Sequence, residues 1–289
     1  MVSSAKDIMN RVRLVPQDPD WYIRNSSGKK LGIWFDEPEN PRGVAFLSHG
    51  TLATARQPEI LKIKQALLAQ GITVISFDAS NHQNYSEGSG EELTWETHLQ
   101  DLKDVTEWAK DDGYLYLRPK YIVAGRSLGA FACLQHAANN PEEVSHVIAL
   151  SPPVTGKKTL KIFEKAFPRW EREGFITMTD VFNNIVRTPY KSTAKDLKQH
   201  NLLKVAKNLT MPVLLMNGDY DSTTPHSDVE ELFKKIPVGN KTFVTIPYAD
   251  HFLLEPGDME LVCSTMQNWL EENLPIQPSA NKAIQQLDL

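Results

Sequence analysis

Tyr121-Ile122-Val123-Ala124-Gly125-Arg126-Ser127-Leu128-Gly129-Ala130-Phe131-Ala132 is the stretch on which the reading of this chain turns. Tyr121–Ala124 is a short apolar run of strand character. The residues from Leu128 to Asn140 have helical composition, and Pro141 stops them. Between the two lies G-x-S-x-G. A chain that reverses sharply from strand to helix holds its central residue in a strained conformation. Glycines two before and two after it remove the side chains that would collide. The spacing predicts Ser127 at the apex, with its hydroxyl exposed at the carboxyl end of a sheet. The first N–H groups of the following helix point at the same place.

Working outward, the pattern on both sides is alternation. Apolar runs of strand length occur at GVAFLSHG (43–50), ITVISFD (72–78), VSHVIALSPP (144–153), MPVLLMNGD (211–219) and KTFVTIPYAD (241–250). Between them lie helix-like stretches at 57–70, 93–110, 226–236 and, after the last strand, 258–272. The strands are continuously apolar, as strands buried on both faces are. The fold class is therefore α/β: a mostly parallel sheet flanked by helices. WYIRNSS and KKLGIWFDE, separated by Gly28, predict an antiparallel hairpin at one edge.

The alternation lapses over 155–208, which holds helix-like pieces and no clear strand. We read it as a helical cap inserted between core segments 21–154 and 209–275, with terminal extensions at 1–20 and 276–289. The insertion has twelve Lys or Arg against five Asp or Glu, in a chain of net charge −5. Its aromatic residues, among them Phe163, Trp170, Phe175 and Phe182, have two readings: the cap's own packing face, which their helical spacing favours, or the lining of an acyl pocket.

Composition narrows the function. The chain has 289 residues, 41% hydrophobic and 23% charged, as ordinary globular proteins do. A net charge of −5 gives no basic footprint for nucleic acid. No apolar stretch reaches the roughly 18 residues of a membrane span, and the first residues lack the apolar centre of a secretory signal. Two distant cysteines, Cys133 and Cys263, form no zinc or disulfide framework and suit free thiols in a reducing compartment. The expectation is a cytoplasmic protein. Gly88-Ser89-Gly90 imitates a dinucleotide fingerprint but lacks its third glycine and its strand–turn–helix setting. No phosphate loop or metal-ligand spacing occurs, and no cofactor is expected.

A serine hydroxyl needs a base at neutral pH. Of eight histidines, His251 follows the last strand, in a loop able to swing over the sheet edge. His98 and His136 lie in helices, His146 begins a strand, His200 is in the insertion and His226 opens a helix. His82, in a loop, stays as an alternative. The acid that orients the base belongs to Asn217-Gly218-Asp219-Tyr220-Asp221, after another strand. Asp221 is favoured and Asp219 is the alternative. Negative charge developing on a substrate oxygen needs two preset N–H donors. Leu128 supplies one. Thr51 is the choice for the other, with Leu52 beside it, because Ser48-His49-Gly50 turns there; His49 is expected to fix that loop.

With these residues in view, the chain resembles the α/β-hydrolase family, above all its small esterase, thioesterase and serine aminopeptidase-like members. The matching pieces are FLSHGT, ISFDASNHQNYSEGSG, AGRSLG, ALSPP, LLMNGDYDSTTP and YADHF, in family order. The resemblance implies an eight-stranded sheet, a cap inserted after the strand ending at Ser151, and a triad of Ser127, Asp221 and His251. The loop after Asp78 departs from the family's shorter glycine-rich form by bringing His82 and Tyr85 near the site. The expected activity is cleavage of a small-molecule carboxylic ester through an acyl-enzyme. The alternatives are a thioesterase or acyltransferase, whose anionic acyl carrier (coenzyme A or a carrier protein) the basic insertion would attract, and a non-catalytic binding protein on the same fold.

Overall fold

In the computed structural model, residues 17–82, 84–112, 120–237 and 239–274 are described. The terminal extensions fall outside them, except for 17–20. Among the described residues there are ten strands and nine α-helices. The strands are β1 (Trp21–Arg24), β2 (Lys30–Asp36), β3 (Gly43–Ser48), β4 (Ile72–Phe77), β5 (Tyr121–Arg126), β6 (Val144–Leu150), β7 (Phe175–Thr179), β8 (Ile185–Pro189), β9 (Val213–Gly218) and β10 (Thr242–Ile246).

Eight strands form one sheet in the order β1-β2-β4-β3-β5-β6-β9-β10. β1 and β2 are antiparallel, as is β2 against β4; every other neighbouring pair is parallel. Gly28 makes the hairpin turn at φ +81°, a conformation suited to glycine. Helices α1 (Pro58–Ala69) and α9 (Asp258–Asn273) cover one face. Helices α2 (Trp95–Asp111), α3 (Leu128–Asn139) and α8 (His226–Lys235) cover the other. Alternation along β3 shows why its strands read as continuously apolar. Val44 and Phe46 join the α2–α3 cluster, while Ala45 and Leu47 join the α1–α9 cluster.

The strand order also sets where a site can form. From β3 the chain crosses to β4 on one side, and from β5 it continues to β6 on the other. Loops leaving β3 and β5 therefore diverge and leave a crevice at the carboxyl edge of the sheet. Ser48 and Gly125 are partners in register at that edge.

Segment 155–208 differs from the sequence expectation of helices alone. It contains helices α4 (Gly156–Ala166), α5 (Trp170–Glu173), α6 (Tyr190–Leu197) and α7 (Leu202–Val205), but also the antiparallel hairpin β7–β8. The hairpin forms because Ile176 and Val186 alternate with exposed neighbours and bury one face. Asp180 closes its turn by accepting the N–H groups of Phe182 and Asn184 at 2.9 and 2.8 Å. Trp170 is buried: it packs on Phe163 and Tyr190, donates its indole N–H to Thr188 O at 2.9 Å, and belongs to the same hydrophobic cluster as α2 and α3. The ends of the insertion meet, through Gly156 N–H to His200 O at 3.0 Å and Leu202 N–H to Val154 O at 3.0 Å. Asp196 of α6 accepts the Trp95 N–H at 2.8 Å, seating the cap on the first turn of α2.

Candidate active site

Ser127 sits between β5 and α3 at φ +52°, in the left-handed region that non-glycine residues rarely occupy. Its flanking glycines are required by contact. A Cβ on Gly125 would lie 2.5 Å from the Gly129 carbonyl group, and a Cβ on Gly129 would collide with Ser48 O. Ser127 N–H donates to Leu150 O at 2.9 Å, and Ser127 O accepts the Phe131 N–H at 3.0 Å. The turn is thus held by the neighbouring strand and by its own helix.

His251 Nε2 lies 3.1 Å from Ser127 Oγ, and its Nδ1 lies 2.8 Å from Asp221 Oδ2. All three residues are buried. Asp221 also accepts the N–H groups of Thr223 and Thr224 at 2.9 and 2.7 Å, and the Thr224 hydroxyl at 2.7 Å. Burial disfavours the charge on Asp221, but the His251 contact and the Thr224 bonds outweigh it. They hold its carboxyl below the ordinary value. An ionised Asp221 fixes the proton of His251 on Nδ1 and leaves Nε2 as an acceptor facing the serine hydroxyl.

The alternative acid is engaged elsewhere. Asp219 Oδ1 accepts the Tyr248 N–H at 2.6 Å on the exposed side of the loop. Asp250 caps its own turn, accepting the Phe252 N–H at 2.8 Å. A residue the sequence reading left without a role ties the elements together. Arg126, buried beside Ser127, donates from Nη2 to the His251 carbonyl at 2.6 Å. The x position of G-x-S-x-G carries no signal of this, because its partner is 125 residues away.

The loop after β3 passes close to the serine: a Cβ on Gly50 would be 3.3 Å from Ser127 Cβ. His49 Nε2 accepts the Ala79 N–H at 2.9 Å, so its proton is on Nδ1, which donates to Gly50 O at 2.8 Å. Carbonyl and N–H point opposite ways across a trans peptide. Holding Gly50 O toward His49 therefore turns the Thr51 N–H away from it. The Leu52 N–H is already spent, donating to His82 Nδ1 at 2.9 Å. The two donors that sequence left open thus differ: the Leu52 N–H is engaged by His82, and the Thr51 N–H faces away from His49. Leu128 is the first residue of α3, so its N–H has no acceptor within its own helix. His82, the alternative base, bonds to Leu52 and His98. Among the described residues no group of three or more His, Cys, Asp and Glu is arranged to hold a metal ion. Cys133 and Cys263 are free thiols, 133 buried and 263 half-buried.

This fold and constellation define the class as an α/β hydrolase. Residues 39–195, more than half of the chain, match the family model described as serine aminopeptidase, S33, and the chain belongs to that family. Solved structures share the fold. Est1E from Butyrivibrio proteoclasticus, with ferulic acid bound, is 20% identical, with a TM-score of 0.70 over 88% of this chain and 99% of that one. Mouse alpha/beta hydrolase domain-containing protein 10 is 21% identical, with a TM-score of 0.70 over 87% and 98%. The esterase domain of a Rhodothermus marinus protein is 20% identical, with a TM-score of 0.65 over 92% and 100%. No curated protein matches the chain in sequence.

Proposed function

We propose that this protein is a serine esterase that cleaves a small-molecule carboxylic ester through an acyl-enzyme. The observation that carries the reading is the continuous chain from Ser127 Oγ through His251 to Asp221, at 3.1 and 2.8 Å. Ser127 attacks the ester carbonyl while His251 Nε2 takes its proton and Asp221 stabilises the imidazolium. The N–H groups of Thr51 and Leu128 receive the oxyanion. His251 then protonates the leaving alcohol, and water, activated by the same nitrogen, hydrolyses the acyl-enzyme. Esterases among the structural neighbours support an ester as substrate. Core segments 21–154 and 209–275 supply these groups, the insertion 155–208 roofs them, and the free thiols suit the cytoplasm.

A fluorophosphonate probe and p-nitrophenyl esters of graded chain length test this directly. Wild-type protein should be labelled and active, and Ser127→Ala should lose labelling and about 10⁴-fold or more of kcat. A Ser127→Ala protein as active as wild type would sink the reading.

A thioesterase or acyltransferase using an anionic acyl carrier is the second reading, favoured by the basic cap, where Lys157, Lys161 and Lys165 are exposed. Reversing these three to Glu should raise KM for acyl-CoA several-fold at low salt and much less at high salt. An unchanged KM removes the carrier from consideration.

A further inference from the structure

A second chain of imidazoles begins at Leu52, in the loop after β3, and ends at Ser48, the last residue of that strand. Leu52 N–H donates to His82 Nδ1 at 2.9 Å. His82 Nε2 is 3.0 Å from His98 Nδ1, and His98 Nε2 is 2.8 Å from Ser48 Oγ. A backbone N–H can only donate, so every proton in the chain is fixed. His82 Nδ1 accepts, His82 Nε2–H donates to His98 Nδ1, and His98 Nε2–H donates to Ser48. The His49 ring stands edge-on to both, with centroids 4.8 and 5.3 Å away. His82 is 1% exposed and His98 0%.

The two ends of this relay are informative. One end grips Leu52, which sits at φ +52°, and whose N–H closes the peptide that begins at Thr51 C=O. His49 fixes the peptide before Thr51. The planes on either side of Thr51 are therefore each held by a different histidine. The other end is Ser48, whose carbonyl fills the space beside Gly129, next to Leu128. The relay thus joins the strand-end loop of one oxyanion donor to the floor beneath the other. The cap touches the same residue: Val181 N–H reaches Leu52 O at 3.4 Å, and Phe182 packs edge-on to Tyr85 at 6.3 Å.

We propose that His82, His98 and Ser48 are positioning residues for the oxyanion site, holding the Leu52 amide on one side of Thr51 while His49 holds the peptide that carries the Thr51 N–H on the other. The inference rests on the acyl-transfer chemistry proposed for Ser127. Burial pushes His82 and His98 well below the ordinary histidine value, which keeps the imidazoles neutral and the hydrogen-bond direction constant. Neutrality matters: a protonated His82 would have no lone pair for Leu52.

The test uses the acceptor itself. In His82→Asn, Oδ1 occupies nearly the place of Nδ1 and can still accept from Leu52. In His82→Leu nothing can. With a p-nitrophenyl ester, His82→Leu should lower kcat about 10- to 100-fold with KM nearly unchanged, a loss below that of deleting an oxyanion donor outright. Its phosphonylation rate at Ser127 should fall in parallel. His82→Asn should stay within about 5-fold of wild type, although both variants lose the His98 bond and a similar part of their thermal midpoint. Ser48→Ala cuts the far end with little change of volume and should lower kcat about 3- to 5-fold. It remains informative if His82→Leu does not fold. Equal kcat in His82→Leu and His82→Asn, or a Ser48→Ala protein with wild-type kcat, overturns the proposal. Wild-type protein that the phosphonate does not label would overturn the Ser127 reading and this inference with it, an outcome distinct from normal labelling in every variant, which would overturn the inference alone.

Discussion

Two buried histidine systems, one at Ser127 and one between Leu52 and Ser48, differ in what stands at Nδ1. His251 has a carboxylate at Nδ1, 2.8 Å away, while His82 has only a backbone N–H there and His98 only another imidazole. All three rings are buried. The difference teaches what makes a buried histidine a base. A proton arriving on Nε2 of His251 creates a charge that Asp221 stabilises. A proton arriving on His82 or His98 would create an unpaired charge in an apolar interior, which burial forbids. In the function proposed above, the first system moves a proton and the second holds a backbone still.

Removing the carboxylate should turn the first system into the second. In Asp221→Asn the side-chain oxygen should stay where Thr223 and Thr224 N–H groups meet Oδ1. The amide NH₂ then faces His251 Nδ1 and donates to it. That gives His251 the tautomer of His82, with a hydrogen on Nε2 pointing at the serine instead of a lone pair. The expected loss in kcat is about 10⁴-fold with the fold intact. Steady-state kinetics with parallel circular dichroism would show it. A loss below about 10-fold would mean that Asp221 does not orient the base.

The second comparison to break is one of charge. Burial pushes His49 and His136 both down to about 4, from the ordinary histidine value of 6.5. In the unfolded chain they bind protons below pH 6.5, and in the folded protein they do not until about pH 4. Stability is therefore full above pH 6.5 and falls as pH drops from there. Between pH 7 and 5 each should cost about 2 kcal/mol. Asp78 acts with the opposite sign. Burial raises it to about 6 against the bonds from Ala55, Tyr85 and Thr54, so protonation between pH 6 and 3.8 restores some stability. His82 and His98 add to the histidine side. The net expectation is a loss of several kcal/mol on going from pH 7 to pH 5, measured by urea unfolding. A flat profile would contradict neutral burial of the cluster.

The two histidine systems also mark how far the sequence could be read. Ser127, Asp221 and His251 stood out because each follows a strand, and strand ends share one edge of a parallel sheet. G-x-S-x-G was legible because its glycines answer a local steric demand. The relay was not legible. His98 is one helical residue among many, and only the packing of α2 on the sheet brings it 2.8 Å from Ser48, 50 residues away. Arg126 escaped for the same reason. The cap hairpin was a different failure. Phe175-Ile176-Thr177-Met178-Thr179 and Ile185-Val186-Arg187-Thr188 do alternate, and Asp180 to Asn184 is a turn sequence. Basic and aromatic residues at helical spacing on either side masked a five-residue period of two.

The smallest effect is expected where the sequence offered two acids and the structure separates them. Asp219 and Asp221 share a loop, but Asp219 is exposed, and its carboxylate accepts the Tyr248 N–H at 2.6 Å. An asparagine there can accept the same bond through its own oxygen. Asp219→Asn should therefore change kcat/KM by less than about 3-fold and stability by under about 0.5 kcal/mol, the ordinary range for a surface substitution. Assayed beside Asp221→Asn, it measures how steeply function depends on which of two neighbouring carboxylates is buried against an imidazole. If both substitutions cost the same, the imidazole is oriented by the loop as a whole, and the contrast between a proton-moving and a backbone-holding histidine would have to be sought in something other than its carboxylate.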